Sequence, residues 1–121
     1  MMEEFIMRLD AGMREYFRDM ARFMSREFGI TYSEAVARIN SSYGKLKIDP
    51  YPDLMCHEEP DFWAFGAYYD LSVDEKGAFR WWDPEADRSS WPIREAPEKG
   101  SRYWTLPEGH EAPPPLRGFG S

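Results

Sequence analysis

From Glu3 to Phe28 the chain holds no proline and one glycine, and apolar residues return at Ile6, Leu9, Met13, Phe17, Met20, Met24 and Phe28. That three-and-four spacing predicts one long amphipathic helix, because residues so spaced stack on a single helical face. A helix with an apolar stripe must bury it against a second element. Opposite the stripe, Arg14, Arg18, Arg22 and Arg26 form a ladder that could hold an anion. Glu4 and Asp10 stand one turn before Arg8 and Arg14, and Glu15 and Asp19 just before Arg18 and Arg22. Pairs at these spacings are worth about 0.2–0.5 kcal/mol each, so the ladder reads as a solvated, ion-paired face.

The covering element comes next in the chain. Gly29 is placed to end the first helix, and Thr31-Tyr32-Ser33-Glu34 has capping-box spacing. A second helix is expected to run to about Ser42, with Ala35, Val36, Ile39 and Tyr43 on one face and Gly44 as its stop. Together the two helices read as an αα-hairpin with facing stripes.

Pro50, Pro52 and Pro60 make residues 45–60 a connection, pinned to the core by Leu46, Ile48 and Leu54. A third short helix is expected near Pro60, since proline suits a first turn and Glu58, Glu59 and Asp61 complement the positive end of the helix dipole. Beyond Asp70 the pattern changes. Leu71 to Val73 and Ala78 to Trp82 read as strands of a hairpin around Asp74-Glu75-Lys76-Gly77, and 91–94 and 102–106 read as extended pieces between Pro92, Pro97 and Pro107. The expected fold is therefore α+β: an N-terminal helical hairpin and a third short helix packed on a small antiparallel sheet or irregular aromatic C-terminal half. With 121 residues, 42% of them hydrophobic, one core is expected. Residues 1–106 read as a single globular domain and 107–121, rich in proline and glycine, as a mobile tail.

Several functions are disfavoured. A formal charge of −7 is the wrong sign for gripping phosphates, so no nucleic acid is expected as a partner. One cysteine cannot form an internal disulfide, and no run approaches the length of an apolar span, so a cytoplasmic protein with no membrane partner is expected. No glycine-rich phosphate loop is present. Cys56, His57, Glu58 and Glu59 are metal-ligand types, but neighbours on an extended chain point to opposite sides, and the other histidine, His110, lies in the tail. A Cys56 nucleophile would need a histidine within hydrogen-bond reach and a third group to orient it. Cys56 reads instead as a small core residue. No catalytic residue, metal or cofactor is expected.

The more specific feature is regional. Between Lys47 and Lys76 there is no Lys or Arg, while Asp49, Asp53, Glu58, Glu59, Asp61, Asp70, Asp74 and Glu75 are interleaved with Tyr51, Phe62, Trp63, Phe65, Tyr68 and Tyr69. Two readings stand. Aromatics at helical spacing could face the core while carboxylates face water. Alternatively, some aromatics stay at the surface and, with an acidic rim, form a patch suited to a basic protein.

Glu34-Ala35 with Arg38-Ile39-Asn40, then His57-Glu58-Glu59-Pro60-Asp61-Phe62-Trp63-Ala64 and Tyr68-Tyr69, resembles a group of small bacterial proteins of no established activity. These carry S-x-E-A-x-x-R-I-N followed by Y-H-E-x-P-x-Y-W-A-x-x-x-Y-Y. The likeness covers roughly residues 33 to 70 and departs at Cys56, where an aromatic is expected, and at Asp70, where glycine is expected. It implies a bacterial or phage-associated setting and a structural polar cluster of Arg38, Asn40 and His57, with no activity to carry across.

The function expected is non-catalytic binding of another protein, a basic one being the natural complement, through Asp53, Glu58, Glu59, Asp61, Trp63 and Tyr68, as in an immunity or inhibitor protein. The alternative is a small-molecule or metal-dependent enzyme with His57 and Glu58 at the lip of an aromatic pocket. A third reading is a self-associating structural subunit.

Overall fold

Asp10 opens the first helix. In the computed structural model, which describes residues 3–71 and 80–114, its side chain accepts the Met13 amide at 2.9 Å, and α1 runs Ala11–Phe28. The helix expected from Glu3 thus starts later, and residues 3–9 form a non-helical segment. Ile6 and Leu9 match the helical phase, but two other terms win. Asp10 caps the helix end, and the segment buries Glu4, Phe5 and Met7 against the helices. At the far end Gly29 takes a left-handed φ of 68° and its N–H donates to Ser25 O, the stop expected of it.

Helix α2 is Tyr32–Tyr43. Thr31 Oγ1 accepts the Glu34 amide at 3.0 Å, one half of the capping box. The Glu34 carboxylate does not return to Thr31; it takes Arg38 Nε at 2.9 Å. After a 3-10 turn at Leu54–His57, α3 spans Pro60–Tyr68 with proline in its first turn, as the sequence predicts.

Helix α1 packs against both α2 and α3, which also touch each other. Met13, Phe17, Met20 and Met24 of α1 meet Val36 and Ile39 of α2 in a fully buried core. Ala35, Ala64 and Ala67 let the helices approach closely. A second cluster joins Phe65, Tyr69 and Trp91 to Phe23, Phe28 and Tyr68. Within it the Phe28 and Tyr68 rings stack at 4.0 Å and 5°, a geometry worth about 0.5–1.5 kcal/mol beyond burial.

Among the described residues there is no strand, so the fold is all-α and the expectation of an α+β domain is corrected. The nearest approach to a sheet is an isolated antiparallel bridge between Tyr69 and Ile93, where Asp70 N donates to Pro92 O at 2.9 Å and Arg94 N to Tyr68 O at 2.8 Å. Pro92 has no N–H to extend the ladder, and Pro97 and Pro107 interrupt the chain downstream of it. Residues 102–106, expected to be extended, are turn and irregular structure in which Leu106 alone is buried. Positions 72–79 of the expected hairpin lie outside the described residues.

The chain ends are strapped over the helices by side chains. Asn40, with no exposed surface, accepts the Ile6 amide on Oδ1 and donates from Nδ2 to Glu4 O and Tyr103 O, each at 3.0 Å. The Thr105 hydroxyl also donates to Glu4 O. Within the expected tail, Pro107 O accepts from Ser33 Oγ at 2.6 Å, and Pro113 O accepts from Arg22 Nε and Nη2 at 2.9 and 2.8 Å. Positions 115–121 lie outside the described residues.

Candidate functional site

The connection between α2 and α3 is fastened from beneath by four side chains. Asp10, already capping α1, accepts the Tyr51 amide on its second oxygen at 2.9 Å. Those two amides hold its carboxyl below the usual range. Asp53 accepts from Met55 N at 2.9 Å and Asp49 N at 2.8 Å, capping the 3-10 turn and closing the loop before it. The Tyr16 hydroxyl lies 2.8 Å from Glu58 O and 3.1 Å from Met55 O, donating its one proton to either, and burial pushes its pKa up. Trp63 Nε1 donates to Met55 O at 2.9 Å.

The surface that this fastening presents to solvent differs from expectation. Leu54, expected to pin the connection to the core, is 77% exposed, and Leu46 is half exposed; of the three pins only Ile48 is partly buried. In a 3-10 turn the side chains at i and i+3 share a face, and here Leu54 and His57 are both exposed while Met55 and Cys56 are half-buried. Tyr51, 45% exposed, lies across Gly12 of α1. Asp49, Glu58 and Glu59 of the same connection are exposed, and Asp61 is half-buried in the first turn of α3.

The aromatics of residues 62–69, unlike Tyr51, turn inward. Trp63 is half-buried, edge-on to Tyr43, with its N–H spent on Met55 O. Tyr68 is half-buried on Phe28, and the Arg38 guanidinium lies over its ring at 4.9 Å. None of Phe62, Trp63, Phe65, Tyr68 and Tyr69 is exposed. Of the polar residues, Arg38 bonds Glu34 and, at 2.8 Å, Arg94 O, while Asn40 bonds the chain ends. His57 is exposed and joins neither. The residues expected to bind a partner therefore divide: Glu58, Glu59 and Asp61 present charge at or near the surface, whereas Asp53 and Trp63 hold the loop.

Cys56 and His57 line a shallow hollow of about 310 Å³ with Pro52, Asp53 and Leu54; no aromatic and no Glu58 contribute. The Cys56 thiol sits 3.6 Å from Met13 Sδ, and burial raises its pKa, which works against thiolate chemistry. Among the described residues no group of three His, Cys, Asp or Glu side chains could hold a metal ion. No helix among them is long and apolar enough to cross a membrane.

The arginine ladder is the feature sequence reasoning missed. Its middle, Arg18 and Arg22, is a part-buried ionic network, while Arg26 stays exposed. Arg18 turns to Glu4, with Nε and Nη2 at 2.6 and 2.5 Å, and the Glu4 Oε2 accepts from the Tyr32 hydroxyl at 2.5 Å. Arg22 Nη1 lies 2.6 Å from Asp19 and 2.8 Å from Glu15, whose side chain is 1% exposed. The Glu15 contact is ionic, without a well-aligned hydrogen bond. Of the four pairs expected, Asp19–Arg22 forms; Asp10 caps the helix instead of pairing with Arg14, which lies 3.9 Å from Glu3. No local spacing signals this, because Glu4 arrives from outside the helix.

No family model matches the chain, and no significant match emerged among curated proteins or among solved structures.

Proposed function

We propose that this chain is a non-catalytic protein-binding domain that takes a basic partner on the face formed by residues 49–61, in the manner of an immunity or inhibitor protein. The observation that carries the reading is Leu54, exposed on a loop fastened by Asp10, Tyr16, Asp53 and Trp63 and followed in the chain by the exposed carboxylates Glu58 and Glu59. An apolar side chain on a preorganised turn loses little entropy on docking, so more of the roughly 25 cal/mol per Å² of buried apolar area is retained as affinity. Leu54 and Tyr51 supply that area. Glu58, Glu59 and Asp61 supply steering, which speeds association with a basic surface and weakens with salt.

The test pairs affinity capture from the source cell with two variants, Leu54→Asp and the triple Glu58→Lys/Glu59→Lys/Asp61→Lys. Circular dichroism establishes that each is folded. A specific partner should be captured by the parent chain, lost with Leu54→Asp, and bound more slowly, with a flattened salt dependence, by the triple variant. A partner retained equally by all three, or no partner at all, refutes the reading.

A further inference from the structure

Between α1 and the start of α3 lies a groove of about 340 Å³ lined by Asp19, Arg22, Phe23, Arg26, Glu59, Pro60 and Asp61. Part of the lining is apolar: Phe23 is half-buried, edge-to-face with Phe28 and Phe65, and Pro60 opens α3. The charged part divides into groups that are spent and groups that are not. Arg22 gives Nε and Nη2 to Pro113 O and turns Nη1 to Asp19 and Glu15, so Arg22 and Asp19 are committed. Glu59 holds the N-cap position of α3 yet makes no side-chain bond to the helix. Neither Glu59 nor Asp61 forms an ion pair with a described residue, and neither does Arg26, the remaining cation of the lining. Two carboxylates thus face one arginine that engages neither.

That combination selects among basic side chains. A lysine ammonium is compact and strongly hydrated, and gains little from Phe23 and Pro60. A guanidinium is planar and weakly hydrated, stacks on aromatic surface, and meets a carboxylate with a two-pronged fork. Its alkyl stem can lie along an apolar wall while the charged head stays with the carboxylates. We infer that the groove between α1 and α3 is an arginine subsite, taking one arginine side chain of the basic partner with its head at Asp61 and Glu59 and its flank against Phe23 and Pro60.

The inference rests on the function proposed above and adds to it an anchoring residue on the partner and a contribution from α1. Glu59 and Asp61 then hold the partner as well as steer it. Arg26 repels an incoming guanidinium, so it limits the affinity of the subsite.

The experiment is an amide chemical-shift titration of the full chain with the capped tripeptide acetyl-Gly-Arg-Gly-amide. The same peptide carrying lysine, or citrulline as the neutral counterpart of arginine, is the control. Saturable shifts of the Phe23 and Asp61 amides are expected with arginine, weaker binding with lysine and none with citrulline. The double variant Glu59→Gln/Asp61→Asn should weaken the arginine peptide by about tenfold, the scale of one charge-assisted hydrogen bond. Arg26→Gln should tighten it. No saturable shift at these amides, lysine bound as well as arginine, or an Arg26→Gln variant that binds no better overturns the inference. Leu54→Asp should leave the tripeptide titration unchanged, which separates the two readings. A captured partner that is lost with Leu54→Asp but indifferent to the double variant refutes the subsite and spares the docking face. A tripeptide that titrates as expected while no partner is captured refutes the docking face and leaves the arginine preference of the groove standing.

Discussion

Replacing Asn40 by alanine removes three hydrogen bonds at a position with no exposed surface. Glu4 O keeps its bond from Thr105, so the groups left without a partner are Ile6 N–H and Tyr103 O. At about 1 kcal/mol net per bond, and more for a group left unsatisfied, the loss should be about 3 kcal/mol. Domains of this kind are stable by about 5–15 kcal/mol, so the variant should still fold. With a urea m-value of about 1–3 kcal/mol per molar, its midpoint should fall by roughly 1–3 M at unchanged m. Asn40→Asp sharpens the test. It keeps the acceptor for Ile6 but turns an oxygen toward Glu4 O and Tyr103 O, so burial and the facing carbonyls raise its folded pKa above the unfolded value of about 3.9. A raised folded pKa means stability fully present below about pH 4 and lost as pH climbs through the folded value. Its deficit relative to the parent should therefore be smaller at pH 4 than at pH 7. An alanine deficit under about 1 kcal/mol, or an aspartate deficit independent of pH, would show that Asn40 does not hold the chain ends.

Three further outcomes are expected. Gly12→Ala places a methyl 2.5 Å from Tyr51 Cβ, so it should destabilise by about 1–3 kcal/mol and speed proteolysis within residues 45–57; an unchanged cleavage rate would mean that Tyr51 is not fastened there. Burial raises the Cys56 thiol, so alkylation by iodoacetamide at pH 7 should run slower than for free cysteine and rise only at higher pH; equal rates would contradict the burial. Burial also raises the hydroxyls of Tyr16, Tyr32 and Tyr43, the last to about 12. The folded chain then keeps protons that the unfolded chain releases above about pH 10, so stability should be full below that pH and decline above it. Tyr32→Phe should reduce the slope, and a flat profile between about pH 9 and 11 would count against all three.

The helix ends that sequence announced are those set by neighbours in the chain: Gly29 after α1, Thr31 before α2, Pro60 opening α3. Each depends on contacts within one helical turn, which a linear reading can see. Where residues 3–9 go is decided by Asn40, Arg18 and Tyr32, and no local pattern carries that. The expected strands failed for a related reason. Trp91 and Ile93 have strand-like character, but a ladder needs a partner with free donors, and Tyr69 offers a single bridge. At the candidate site the acidic run was legible and the exposure of its members was not. Trp63 and Tyr68 turn inward to Met55 O and Phe28, while Leu54, the most exposed apolar residue of the connection, is left in water.

Asn40 and Glu4 also set an order of events during synthesis. A nascent chain has all three helices well before it has Tyr103 and Thr105, which close over Glu4 from about a hundred residues away. Until they emerge, a buried amide in α2 and a backbone carbonyl at the N-terminal end lack part of their bonding. The helical body can form during translation, but sealing its floor waits for Tyr103 and Thr105. A chain released early would carry intact helices around an open, apolar seam, a form that quality control can distinguish from the finished protein.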